Sequence, residues 1–174
     1  MSELNNVAEA NGTYNNIPTS VTSNTSVVNL IDGLTLTKNA DKQNWIDGFL
    51  TYTLVLENTT NTRYLNPIIT DVIDTNLVDF VNDSVTIDET NSNSYNYDPT
   101  THTLSITLTE VGANSRSTIT FRVKKKYNKE FYLKSSSKVL YNDVIIESNT
   151  VIVRSYLMPT RRIIFDCSSP YWRY

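Results

Sequence analysis

From Leu34 to Tyr156 apolar residues recur at every second position in one short run after another, and stretches of helical period are scarce. Leu34-Thr35-Leu36-Thr37-Lys38 alternates, and so does most of 49–56. Further runs rich in Thr, Val, Ile, Tyr and Phe cover 64–73, 85–88, 103–108, 118–123, 131–140 and 144–156. A period of two places alternate side chains on opposite faces of a strand, whereas a helix needs a period near 3.6. Between the runs lie turn formers: Asn58-Thr59-Thr60-Asn61, Asp74-Thr75-Asn76, Asn91-Ser92-Asn93-Ser94, Asp98-Pro99, Gly112-Ala113-Asn114 and Asn142-Asp143. Short strands separated by such turns, with no helices between them, predict an all-β fold, an antiparallel β-sandwich.

Length and charge narrow the function classes. At 174 residues and 39% hydrophobic, the chain suits one domain with extensions. It divides into a polar N-terminal extension at 1–32, the sandwich at 33–157, and an aromatic tail at 158–174. A net charge of -3 gives no electrostatic footprint for nucleic acid or an anionic membrane. The one basic run, Lys124-Lys125-Lys126, sits at a strand end, where edge lysines serve solubility. No segment approaches the roughly 20 apolar residues of a membrane span. Residues 1–16 lack the apolar core of a secretory signal, so export by an ordinary route is not expected. One cysteine, Cys167, excludes an internal disulfide framework, and one histidine, His102, placed on a strand, excludes metal–histidine clusters. Asp71, Asp74 and Asp79 lack the spacing of a calcium loop and read as turn formers. No cofactor, metal or catalytic constellation is expected, and the chain reads as a non-enzyme.

A triplet recurs. Ser23-Asn24-Thr25 returns as Ser148-Asn149-Thr150, each after a Tyr-Asn pair (Tyr14-Asn15, Tyr141-Asn142) and each before an apolar stretch, Val27-Val28-Asn29-Leu30 or Val151-Ile152-Val153. This reads as two copies of one strand-turn-strand unit, one ahead of the domain and one closing it.

The motif order from Gly33 onward is specific. Leu34-Thr35-Leu36-Thr37-Lys38-Asn39-Ala40-Asp41 leads to Asp47-Gly48, Leu50-Thr51-Tyr52, and Ile68-Ile69-Thr70-Asp71-Val72-Ile73. Asp83-Ser84-Val85, Ser117-Thr118-Ile119-Thr120-Phe121 and Glu147-Ser148-Asn149-Thr150-Val151 follow. Over roughly 33–155 this resembles the bacterial surface-repeat family catalogued as "domain of unknown function 11". That resemblance implies an immunoglobulin-like sandwich, found in tandem on cell walls. In tandem members an Asn-Thr-Val closing strand runs into the next Leu-Thr-Leu-Thr-Lys strand, so the residues before Gly33 resemble the end of a preceding repeat. The chain departs from the family in holding one full repeat and an aromatic, cysteine-containing terminus. A single-repeat subunit made without a secretion signal fits a coat or appendage assembled around a forming endospore, or a phage-borne structural protein.

In some bacterial surface sandwiches a first-strand lysine amine attacks a last-strand asparagine carboxamide, with a buried acid assisting. Lys38 is in phase with Leu34 and Leu36, Asp71 with Ile69 and Ile73, and Asn149 with Val151 and Val153. These three are the isopeptide candidates, and Asn24, the duplicate of Asn149, is the intermolecular one. The alternative has Lys38 snorkelling at the rim while Asp71 and Asn149 cap turns.

The function expected is structural: a subunit that assembles head to tail with copies of itself, by strand augmentation. Residues 20–32 are the donor, with Val21, Val27, Val28 and Leu30 as contacts. Ile163, Phe165, Cys167, Tyr171, Trp172 and Tyr174 of the tail lock the joint, on a spore or cell surface and with a coat or anchor protein as a further partner. The rival is an adhesin module that grips a glycan or protein through Tyr95 and Tyr97 in the loop 91–98.

Overall fold

The structure is a computed structural model that describes residues 2–157 apart from 16, 24, 25 and 32. Its strands in chain order are β1 (Ser2–Asn6), β2 (Glu9–Tyr14), β3 (Ile17–Thr22), β4 (Ser26–Leu30), β5 (Leu34–Ala40), β6 (Asn44–Trp45), β7 (Phe49–Asn58), β8 (Tyr64–Leu65), β9 (Ile68–Val72) and β10 (Val78–Phe80). There follow β11 (Thr86–Ile87), β12 (Thr90–Asn91), β13 (Tyr95–Asp98), β14 (Thr103–Thr107), β15 (Glu110–Val111), β16 (Ser115–Lys125), β17 (Phe131–Ser135), β18 (Ser137–Tyr141), β19 (Val144–Glu147) and β20 (Val151–Ser155).

Two sheets make the sandwich. One runs β12-β11-β16-β7-β5, with β10 also on β16, and the other runs β13-β14-β9-β18-β19. Alternation sets their inner faces: Leu50, Tyr52, Leu54 and Leu56 of β7 meet Ile69 of β9 and Leu104 and Ile106 of β14 in one buried core. The result is an immunoglobulin-like all-β sandwich. A third ladder, β17-β20-β6, closes one end, where Trp45 packs edge-on against Phe131.

Three expected strands are each two. Residues 64–73 break at Asn66, which takes a φ of 54° ahead of Pro67. The runs 131–140 and 144–156 break at Ser136 and at 148–150, and each half joins a different sheet. His102 is not on a strand: it holds a φ of 57° in the turn joining β13 to β14. Tyr95 and Tyr97 are not in a loop but on β13.

The N-terminal extension is more ordered than one strand pair. β1 pairs with β4 and β2 with β3, a single long hairpin turned at Asn15. The same plan governs the end of the sandwich, where β17 pairs with β20 and β18 with β19. The serines that open the two triplets are bonded alike. Ser23 N–H donates to Ala8 O at 2.8 Å while Ala8 N–H donates to Ser23 Oγ at 2.9 Å. Ser148 N–H donates to Ser137 O and Ser137 N–H donates to Ser148 Oγ, both at 2.9 Å. Ala8 to Tyr14 is seven residues where Ser137 to Tyr141 is five, and Ile17 to Ser23 is seven where Val144 to Ser148 is five. An even difference preserves strand phase. Gly33 joins the hairpin to β5 at a φ of 71°, where a Cβ would lie 2.6 Å from Thr59 Oγ1, so only glycine fits.

Candidate functional site

β5 carries Leu34, Leu36 and Lys38 on its inward face, and Lys38 is 0% exposed. β9 brings Asp71 to it in the same way, beside Ile69. Lys38 Nζ donates to Asp71 Oδ2 and to Ser135 Oγ. Ser137 Oγ also donates to Asp71 Oδ2, and Ser135 Oγ reaches Asp71 Oδ1 at 3.4 Å. The amine lies 4.3 Å from the centre of the Tyr52 ring and 5.5 Å from that of Phe121. The buried Tyr52 hydroxyl makes no hydrogen bond of good geometry.

Burial lowers the Lys38 amine below its ordinary value, against the pull of Asp71. Burial also raises the Asp71 carboxyl, against Lys38 and the two serine hydroxyls, and it raises the Tyr52 phenol, with Asp71 adding to the effect. Water is excluded, so the pair moves toward the neutral amine and the protonated acid, a proton held between two partners. A neutral buried amine is a nucleophile and a protonated acid a hydrogen-bond donor.

Sequence phase brought Lys38 and Asp71 together, and the structure places Asn149 differently. Asn149 is exposed, and its carboxamide lies on the Lys38 main chain: Nδ2 donates to Lys38 O and Lys38 N–H donates to Oδ1, both at 2.9 Å. Its side chain imitates a neighbouring strand's peptide group on the outer edge of β5, while Lys38 Nζ is taken up by Asp71 and Ser135. Asn24 lies outside the described residues, as do Ile163, Phe165, Cys167, Tyr171, Trp172 and Tyr174. Val21 lies on β3, and Val27, Val28 and Leu30 on β4.

Sequence reasoning missed three participants. Ser135 and Ser137 share phase with Leu133 and Val139, a usable signal, but the break at Ser136 hid their common target. Lys125 does more than keep an edge soluble. In phase with Val123, its Nζ donates to the carbonyls of Trp45, Ile46 and Tyr156 at 2.9 Å, tying β6 to the end of β20. Among the described residues no three of His, Cys, Asp and Glu are grouped to hold a metal ion.

No protein-family model matches the chain, and a search of curated proteins returns no match. Solved structures do match. The major pilin SpaD of Corynebacterium diphtheriae is 25% identical, with a TM-score of 0.52, over 68% of this chain and 35% of that one. BcpA, the major pilin subunit of Bacillus cereus, is 13% identical with a TM-score of 0.54, over 88% of this chain and 48% of BcpA. The C-terminal domain of the Streptococcus pyogenes antigen I/II-family protein AspA is 17% identical with a TM-score of 0.52, over 79% of this chain and 50% of that one. The chain is thus similar in fold to two major pilins and an antigen I/II-family domain and spans between a third and a half of their length.

Proposed function

We propose that this chain is a structural subunit that joins copies of itself head to tail into a surface fibre by strand augmentation. The β1–β4 hairpin carries this reading. It repeats the hydrogen-bond plan of β17–β20, yet its described side chains are exposed, Ile17 at 64% and Val7 at 49% among them. A two-stranded ribbon is marginal in water by itself, and one built like the closing hairpin of a sandwich is made to lie against other strands. One donor and one acceptor per copy gives a heterologous contact that propagates as an open filament. Likeness in fold to two major pilins and an antigen I/II-family domain supports the setting, a bacterial cell or spore surface, as does the family resemblance. Size exclusion and negative-stain microscopy of the purified chain test it: filaments are expected from the full chain and monomers from one lacking residues 1–30. Monomers from both would overturn the reading.

Covalent reinforcement by Lys38 and Asn149 belongs to the same proposal. The Asn149 carboxamide must first leave the Lys38 main chain. The amine then takes the Cγ carbon, forms the amide and expels ammonia, with Asp71 passing the proton. Intact mass under denaturing conditions reads the loss of one ammonia directly.

The second reading, a binding module, rests on the cleft at β13. Tyr95, Tyr97 and Phe80 line it with Asp79, Asn82, Asn93 and Asn96, in about 600 Å³. Phe80 stacks on Tyr97 at 5.0 Å and meets Tyr95 at 5.9 Å. Aromatic faces ringed by amides and a carboxylate suit a polyhydroxylated ligand such as a glycan, and a glycan-array screen of the monomer tests it.

A further inference from the structure

We infer that the groove formed by Ile46, Phe49 and Tyr127, at the end of the sandwich far from the N-terminal hairpin, receives the β2–β3 ribbon of a second copy. This rests on the fibre reading above and names the surface that the donor meets.

β7 measures the separation of the two ends. Its last residue, Asn58, pairs with Leu34, and Thr59 N–H donates to Gly33 O at 2.7 Å, so the hairpin joins the sandwich at that end. Its first residue, Phe49, pairs with Lys124 at the other. The ten residues of β7 put the groove roughly 30 Å from Gly33. A donor at one end and a groove at the other make a heterologous contact, which builds an open filament.

The groove is in place before any partner arrives. Residues 46–49 and 124–128 enclose about 310 Å³. Lys125 Nζ holds the carbonyls of Trp45, Ile46 and Tyr156 at 2.9 Å and so fixes one wall against the other. On that frame Ile46, Phe49 and Tyr127 are exposed. The Arg122 guanidinium lies 5.0 Å from the Phe49 ring, and Lys129 Nζ lies 5.0 Å from the Tyr127 ring. Large apolar side chains gathered around one depression and rimmed by charge mark a contact surface, with the aromatic ones as its anchors.

Charge selects the occupant. Around the groove Lys42, Lys126 and Arg154 are paired with Asp41, Asp79 and Glu130, and Asp47 offsets Lys125. Arg122, Lys124 and Lys129 have no ion pair among the described residues, so this end is net positive. Residues 1–32 hold Glu3, Glu9 and Asp32 and no lysine, arginine or histidine. The other segment outside the sandwich, 158–174, follows Tyr156 beside the same groove, but it sets Arg161, Arg162 and Arg173 against one aspartate, Asp166. Like charge opposes that segment, and opposite charge favours the hairpin.

The ribbon also has a suitable face. Its register pairs Tyr14 with Ile17 and Ala10 with Val21, whereas Glu9, Asn11 and Thr13 pair with Thr22, Ser20 and Pro18. Cross-strand partners share a face and alternate residues return to it, so one face is apolar and the other polar. Ala10 and Ile17 are exposed on the apolar one. In strand addition, pockets that take alternate side chains set the specificity, and the groove is such a pocket.

Cross-linking on the full chain tests the joint. The variant Tyr127→p-benzoylphenylalanine, assembled from equal parts of unlabelled and isotope-labelled chain and then irradiated, should link one chain to residues 7–22 of another. Lys124→Glu should slow filament growth about tenfold and weaken its dependence on salt, while Lys124→Arg grows at the natural rate. Both variants should melt with the unsubstituted chain, since Lys124 is exposed. Filaments that cross-link from position 127 to any other segment, 158–174 included, would overturn the groove assignment and leave the fibre reading standing. Links confined to a chain's own hairpin would overturn the second copy as occupant, and unchanged growth of Lys124→Glu would overturn the charge argument that selects the hairpin. A full chain that forms no filament removes both proposals.

Discussion

The two hairpins of this protein share one pairing plan and differ in what surrounds them. In β17–β20, the residues Leu133, Val139 and Val153 are buried in the sandwich core, and both long strands find neighbours in other sheets. In β1–β4 the same ladders and the same serine corner hold strands whose described side chains face solvent. Main-chain pairing alone therefore does not tell a finished element from an unfinished one. Cover does, because the hydrophobic contribution to stability comes from area removed from water, and a ribbon removes little.

Substitutions placed at matched positions should expose that difference. The largest effect is expected where the closing hairpin meets the buried pair. Asp71→Ala leaves the Lys38 amine without its carboxylate partner and should cost about 3–5 kcal/mol in urea unfolding. No change in the hairpin 2–30 should approach this. Asp71→Asn adds a pH signature. The folded amine has a lowered value, so between that value and 10.5 the unfolded chain binds more protons, and stability should rise with pH across the window. A flat profile there would mean that the amine is not held neutral by burial.

Next in size is a pair of truncations. Val153→Ala, at a site with 0% exposure, should cost about 1–3 kcal/mol. Ile17→Ala, at 64% exposure, should change the monomer's stability by under about 0.5 kcal/mol. If the two costs are equal, the hairpin is covered in the monomer and the contrast fails. The smallest pair is at the serine corners. Ser148→Ala loses the acceptor for Ser137 N–H and should cost about 1 kcal/mol. Ser23→Ala, which strips the acceptor from an exposed Ala8 N–H, should leave thermal unfolding of the sandwich unmoved.

Much of the site could be read in the sequence, and the limits are instructive. Lys38 and Asp71 are polar residues in phase with apolar ones, and strand phase alone told that both point inward. Asn149 was in phase too, but it follows β19 at a corner where the chain leaves one sheet for another, and phase does not survive such a corner. Its side chain therefore meets the Lys38 main chain and is exposed. Ser135 and Ser137 sit on either side of a similar break, so their convergence on Asp71 could not be seen from one run of alternation. Lys125 was hidden in a run of three lysines, where charge suggested solubility and only phase with Val123 pointed inward.

The sequence by itself determined the class of fold, the faces of its strands, and the existence of two related hairpins. These follow from local rules: a period of two, turn residues that tolerate positive φ, and a repeated triplet. Only the tertiary structure decided which sheet each half-strand joins, that Asn149 caps β5, and that one hairpin puts Leu133, Val139 and Val153 into the core while the described side chains of the other face solvent. Those outcomes depend on which residues far apart in the chain exclude water between them, and burial of that kind is a property of the packed molecule rather than of any one segment.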